Sequence, residues 1–167
     1  MNKERIIEAE KLYANSVRLL KKFQFRNGAI LASFQNKNFI IRSDGTFVRD
    51  YIYIDDIVDG LLALTKAMKK KEVWGEAFNF GTSKPRLVLE VAKKVLKIME
   101  KKDLPLKILN EAQHEIKYSC LSAKKAKRIL RWKPKSSFEK SLKKTVDWYI
   151  QHFQKNPKLL KTYEKKL

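Results

Sequence analysis

Cysteine is almost missing from this chain, Cys120 being the only one. A lone thiol excludes an intramolecular disulfide framework and any zinc cluster built on cysteines; it fits a reducing compartment, so cytoplasm is the default expectation. Long apolar runs are missing too. No stretch approaches the roughly 18 consecutive apolar residues of a membrane span. Met1 to Lys11 is charged throughout rather than signal-like, so no export and no membrane partner are expected. Glycine is scarce, and the five present, Gly28, Gly45, Gly60, Gly75 and Gly81, are never three apart. That spacing excludes a Gly-x-x-Gly-x-x-Gly pyrophosphate cradle. Acidic residues are few, 18 Asp and Glu against 38 Lys and Arg, which leaves a formal charge of +20.

Such a charge attracts polyanions at low salt. Most of the positives, however, are lysines that alternate with apolar residues on the solvent faces of predicted helices, as in Lys93, Lys94 and Lys97, Lys124, Lys125 and Lys127, or Lys140, Lys143 and Lys144. The arginine-rich, aromatic-interleaved stripe of a base reader is not there, so specific nucleic-acid recognition is disfavoured. The 44% hydrophobic and 11% aromatic content is that of a globular chain, and 167 residues suffice for one modest domain or a fragment of a larger one.

Periodicity divides the chain into three parts. Residues 1–27 form a basic segment whose apolar positions fit a helix poorly. Over 28–153 the pattern sharpens. Ile30, Leu31 and Phe34 share a helix face that leads into a short strand at residues 39–41. Residues 46–54, rich in β-branched and aromatic side chains, read as a strand, and Asp55 caps the helix carrying Ile57, Leu61, Leu64 and Met68. Residues 76–80 read as a buried strand closed by Gly81. A helix follows with Val88, Val91, Ala92, Val95 and Met99 on its apolar face, then an edge strand over 105–109 and a short helix from Ser122. A Ser136-x-x-Glu139 capping box opens a final helix through Phe138, Leu142, Thr145, Tyr149 and Phe153. Residues 154–167 form a lysine-rich tail. Strands that alternate with helices indicate α/β layers.

The segment running from Ile40 to Asp56 carries Gly45, Arg49, Asp50, Tyr51, Tyr53, Ile54 and Asp56 in an order that resembles the G-x-x-x-R-D-[YW]-x-[YV]-[VI]-x-D stretch of nucleotide-sugar epimerases and dehydratases, extended short-chain dehydrogenases/reductases. Gly75-Glu76-Ala77-Phe78-Asn79-Phe80-Gly81 is similar to the G-E-x-[FY]-N-[FIV]-G strand of the same family. Asn110-Glu111-Ala112, Glu115-Ile116-Lys117, Leu121-Ser122 and Trp132-Lys133-Pro134 resemble the end of CDP-glucose 4,6-dehydratases, which makes that member the first choice. Arg131 stands where glycine is common.

The resemblance implies an α/β fold that is an incomplete C-terminal portion of a Rossmann-type extended short-chain dehydrogenase/reductase, with short strands and several helices. It implies a truncated nucleotide-sugar 4,6-dehydratase whose substrate-binding residues are Arg42, Arg49, Asn79 and Lys117, with Arg49 on the diphosphate, where paired guanidinium donors match phosphate oxygens. Each has a plainer reading: Arg49 with Asp50 as a surface ion pair, Asn79 as a turn amide, Arg42 and Lys117 as solvated cations. His114 and His152 have no spaced partner, and no metal ligand is assigned. Trp132 and Trp148 are read as packing residues.

The family binds NAD, but no cofactor and no catalytic residue is expected of this chain. It lacks the glycine turn, and Tyr13, Tyr51, Tyr53, Tyr118, Tyr149 and Tyr163 are followed four residues later by Val17, Asp55, Ile57, Ser122, Phe153 and Leu167, so no Tyr-x-x-x-Lys pair exists. The expected partners are a CDP-sugar or related nucleotide sugar, with a separate cofactor-domain chain or a second copy of this chain covering an open sheet edge. Two other readings stay open, a non-catalytic nucleotide-sugar-binding module and a basic nucleic-acid binder.

Overall fold

The computed structural model describes residues 24–112 and 115–157; most of the basic N-terminal segment, His114 and the tail beyond 157 lie outside them. Helix α1 (Gln24–Phe34) runs into strand β1 (Phe39–Ile41), as the periodicity predicts, and Asn36 in a left-handed conformation makes the break. Strand β2 (Val48–Arg49) precedes helix α2 (Ile54–Ala67) and a 3-10 turn at Lys71–Val73. Strand β3 (Arg86–Leu87) leads directly into helix α3 (Val88–Ile98). Strands β4 (Leu106–Ile108) and β5 (Tyr118–Ser119), helix α4 (Lys124–Leu130) and helix α5 (Phe138–Lys155) complete the α/β order.

The strands form two small sheets. β1 lies parallel to β4, with Ile40 opposite Lys107. β2 is the middle of the other sheet, antiparallel to β3 and parallel to β5. The β1/β4 sheet closes one face of the larger core, where Ile30, Leu31, Ile41, Val91, Val95, Val146 and Phe153 are almost wholly buried. Burial of each such side chain contributes about 1.5–3 kcal/mol. A second core gathers Ala67, Val73, Ala126, Leu130 and Trp132, with Phe78 and Phe80 packed against it. Trp132 is the packing residue expected, its ring edge-on to Phe80 with centroids 4.9 Å apart. Trp148 is not: it is 54% exposed on α5 and stacks on His152 at 4.6 Å. No helix among the described residues is long and apolar enough to cross a membrane.

Several local expectations shift. Of residues 46–54 only Val48 and Arg49 pair as strand. Residues 76–80 form no paired strand: Phe78 and Phe80 turn onto the second core, Ala77 and Asn79 are exposed, and no described strand pairs with them. The period of two is real, and only a neighbour is missing. Helix α2 is preceded by Tyr53 rather than capped by Asp55; Asp55 and Asp56 sit in its first turn, where carboxylates suit the helix dipole. Helix α4 starts at Lys124 after Ala123, not at Ser122. The cap of α5 is Ser137, whose hydroxyl accepts from Lys140 N at 3.4 Å, because the Ser136 amide is committed to Asp56.

Two backbone positions are informative. Gly60, which helix propensity alone disfavours, faces the Phe80 ring so closely that a Cβ would stand 2.7 Å from Cδ1 and Cε1. Arg131 closes α4 in the left-handed region, with φ 56°, and its amide reaches back to Ala126 O. The resemblance had placed glycine there for the same conformational reason. Gly60→Ala is expected to destabilise the fold. Overpacking against Phe80 costs about 1–3 kcal/mol, more than the roughly 1 kcal/mol of helix propensity regained. Arg131→Gly is expected to stabilise it, since relief of about 1–2 kcal/mol of left-handed strain exceeds the roughly 0.5–1 kcal/mol of added unfolded-chain entropy. Urea unfolding of the two variants beside the wild type reads both signs.

Candidate functional site

Successive residues of an extended chain point to opposite sides, and at β2 this sends Arg49 and Asp50 apart. The Arg49 side chain folds along the sheet. Its Nη1 donates to Val48 O at 2.9 Å and to Lys117 O at 3.2 Å, and the guanidinium lies 5.3 Å from the Phe47 ring centroid. Nη2 is 3.7 Å from Glu115 Oε2, a carboxylate 63% exposed. The guanidinium is thus fixed by two carbonyls and faces one exposed carboxylate.

Asp50 turns the other way and organises the loop after residue 80. Its Oδ1 accepts from Thr82 N at 3.2 Å and from the Thr82 hydroxyl, and its Oδ2 accepts from Ser83 N at 3.0 Å. Ser83 in turn donates to Leu121 O at 3.2 Å. Gly81 is required by this approach, because a Cβ there would stand 2.6 Å from Asp50 Oδ2. The plain reading of Arg49 with Asp50 as a mutual ion pair is therefore replaced by two separate anchors.

The four sequence-predicted residues fall around this centre unequally. Lys117 is exposed and is brought to Arg49 directly, its carbonyl accepting from both Val48 N at 2.8 Å and Arg49. Arg42 follows β1, exposed; its carbonyl accepts from Glu111 N at 2.7 Å and Ala112 N at 3.2 Å, so the Arg42 and Asn110–Ala112 stretches meet. Asn79 is exposed in the extended segment two residues before Gly81, and no described contact joins it to Arg49. Between them Asp44 accepts from Thr46 N and Thr46 Oγ1 at 2.8 and 2.7 Å. The Thr46 bonds hold its carboxyl below the usual range, with the Lys117 charge helping. Tyr118, 60% exposed, has its phenol pushed up by loss of water and by the neighbouring Cys120.

Asp56 is the residue that reading by motif underrates. It is 3% exposed; its carboxylate accepts from Lys135 N at 2.8 Å and Ser136 N at 3.3 Å, and its own carbonyl accepts from Trp132 Nε1 at 3.0 Å. The end of the Arg49 motif and the Trp132-Lys133-Pro134 motif are thus bonded to each other. A cavity of about 220 Å³ opens nearby, between Tyr51, Tyr53, Arg86, Ser137 and Phe138. It contains none of the four predicted residues. Arg86 lies 4.0 Å over the Phe138 ring and 3.7 Å from Glu139, whose carboxyl is held low by its own backbone bond and by the Arg86 charge. Among the described residues no three His, Cys, Asp or Glu side chains converge on a metal position.

Residues 24–81 match the NAD dependent epimerase/dehydratase family. UDP-glucuronate 4-epimerase of Thermodesulfobacterium geofontis is 31% identical over 121 residues, which cover 72% of this chain and 36% of that one. A dTDP-glucose 4,6-dehydratase of Neisseria meningitidis is 27% identical over 135 residues, covering 74% of this chain and 37% of the relative. Among solved structures, UDP-glucuronic acid 4-epimerase from Bacillus cereus, in complex with UDP-glucuronic acid and NAD, superposes with a TM-score of 0.68 at 28% identity, over 78% of this chain and 40% of that one. The chain thus spans less than half the length of these relatives, and they carry uridine or thymidine sugars rather than the cytidine sugar first expected. Residues 24–81 are thus similar to the NAD dependent epimerase/dehydratase family, and the described residues have part of the α/β fold of the extended short-chain dehydrogenases/reductases.

Proposed function

We propose that this chain binds the diphosphate of a nucleotide sugar at Arg49, with Arg42, Asn79 and Lys117 around the nucleotide, and that it carries no dehydratase chemistry by itself. The observation that supports this most is the Arg49 guanidinium, held by the carbonyls of Val48 and Lys117 with its remaining donors directed toward an exposed carboxylate. Holding the fork in place before a ligand arrives reduces the ordering cost of binding. The cytidine nucleotide remains our first choice, resting on the likeness of residues 110–134 to CDP-glucose 4,6-dehydratases.

In the family, NAD supplies a hydride acceptor, and a Tyr-x-x-x-Lys pair supplies the base. The residues of this chain do not fit NAD: no three glycines have cradle spacing, and no tyrosine is followed by lysine four positions on. Turnover in our reading requires both features to be supplied from outside these 167 residues. A non-catalytic nucleotide-sugar-binding module is the alternative, and it shares the same Arg49 site.

Calorimetry with CDP-glucose, dTDP-glucose and UDP-glucose tests the site and ranks the bases. Arg49→Ala is expected to weaken the preferred ligand by about 10- to 100-fold, as for loss of a charge-assisted hydrogen-bonding pair. No heat with any of the three sugars overturns the reading, and a stronger response to UDP-glucose than to CDP-glucose overturns the cytidine choice. Asp50→Ala is expected to lower unfolding free energy by about 2–4 kcal/mol through loss of three bonds to a carboxylate, and to weaken sugar binding through the displaced loop. Purified chain incubated with NAD and CDP-glucose is expected to give no 4-keto-6-deoxy product by mass spectrometry.

A further inference from the structure

Helix α4 and the turn after it collect positive charge that only one carboxylate, Glu76 at Lys125, offsets among the described residues. Residues 124–134 contain no Asp or Glu. Lys124, Lys127 and Arg128 share one helix face at i, i+3 and i+4, and Arg131 at the left-handed cap and Lys133 beyond it complete the ring. These five, with Trp132, line a concavity of about 410 Å³. None of the five forms an ion pair among the described residues; Lys125, on the adjacent face, is the one taken up, by Glu76. Read from sequence as lysines scattered over a solvated face, they converge in space and are joined there by two arginines.

We propose that this concavity is a sequence-independent binding surface for the phosphate backbone of duplex nucleic acid. From Lys124 to Arg131 the helix advances about 10 Å, roughly three steps of ~3.4 Å along a duplex axis, within which both strands present phosphates. Arginine forks take phosphate oxygens in pairs. The concavity offers little else: Trp132 is 4% exposed, so no ring is available to stack an unpaired base or to anchor a protein partner. That combination favours duplex phosphate over single strands and over acidic proteins. The surface contains none of the four residues of the proposed sugar site, so the two readings fail independently.

The test is fluorescence anisotropy of the full chain with a labelled random-sequence duplex, titrated at several salt concentrations. The wild type is compared with Lys124→Gln/Lys127→Gln/Arg128→Gln/Lys133→Gln, and with a control that removes the same charge elsewhere, Lys66→Gln/Lys93→Gln/Lys97→Gln/Lys102→Gln. Neutralising the concavity is expected to lower the salt slope of log K by about 2–3, near 0.9 for each phosphate no longer neutralised, while the control changes it by less than about 1. Equal decreases in the two variants overturn the proposal, because they mean diffuse charge. So does displacement of the duplex by polyglutamate at equal charge, or by micromolar pyrophosphate. Single Lys127→Gln and Arg128→Gln variants, each expected to lower the slope by about 0.9, decide the matter if the fourfold variant does not fold.

Discussion

The Asp50 carboxylate is the contact on which the proposed sugar site depends. It takes two main-chain amides and one hydroxyl from the turn after Gly81, and through Ser83 that turn is tied to Leu121. One side chain therefore brings three distant stretches together beside β2. Because Asp50 is occupied on its own side, Arg49 is left to the other, where two carbonyls hold it and the exposed Glu115 carboxylate, 3.7 Å away, is its counter-charge. A guanidinium tied to a buried carboxylate would have little left for phosphate; the Arg49 partner is instead 63% exposed, an ion pair of little strength that a phosphate can replace.

Asp56 plays a comparable part in joining α2 to the turn before α5. A buried carboxylate without partners would cost several kcal/mol, and two amides meet that need here while Trp132 takes the backbone carbonyl above it. Trp132 also packs on Phe80, and Phe80 on Gly60, so the second core is a chain of close contacts. Substitutions along that chain are expected to couple rather than add.

Much of this was legible in the residues. The alternation of helices and short strands, the turn at Asn36, the edge strand at Leu106–Ile108 and the apolar face of α3 all follow from period and turn chemistry. What was not legible is relational. The cap of α5 falls at Ser137 rather than Ser136, whose amide is bonded to Asp56, a bond spanning 80 positions. Gly60 reads only as a weak point of its helix and Gly81 only as the close of a strand until the Phe80 ring and the Asp50 carboxylate are seen against them. Arg49 and Lys117, 68 residues apart, were both singled out, but nothing in their spacing says that the carbonyl of one would seat the guanidinium of the other.

The unpaired segment at residues 76–80 has a further consequence. Its alternation is maintained by two rings gripping one face, with no ladder of main-chain bonds to a described neighbour. A slip of one residue would turn Ala77 and Asn79 inward and both rings into water, and among the described residues main-chain bonds hold only the flanks of the segment, at Glu76 and at Thr82 and Ser83. The reading frame of this stretch is thus kept by the fit of Phe80 into the gap that Gly60 leaves, a lock whose key is the absence of a single methyl group.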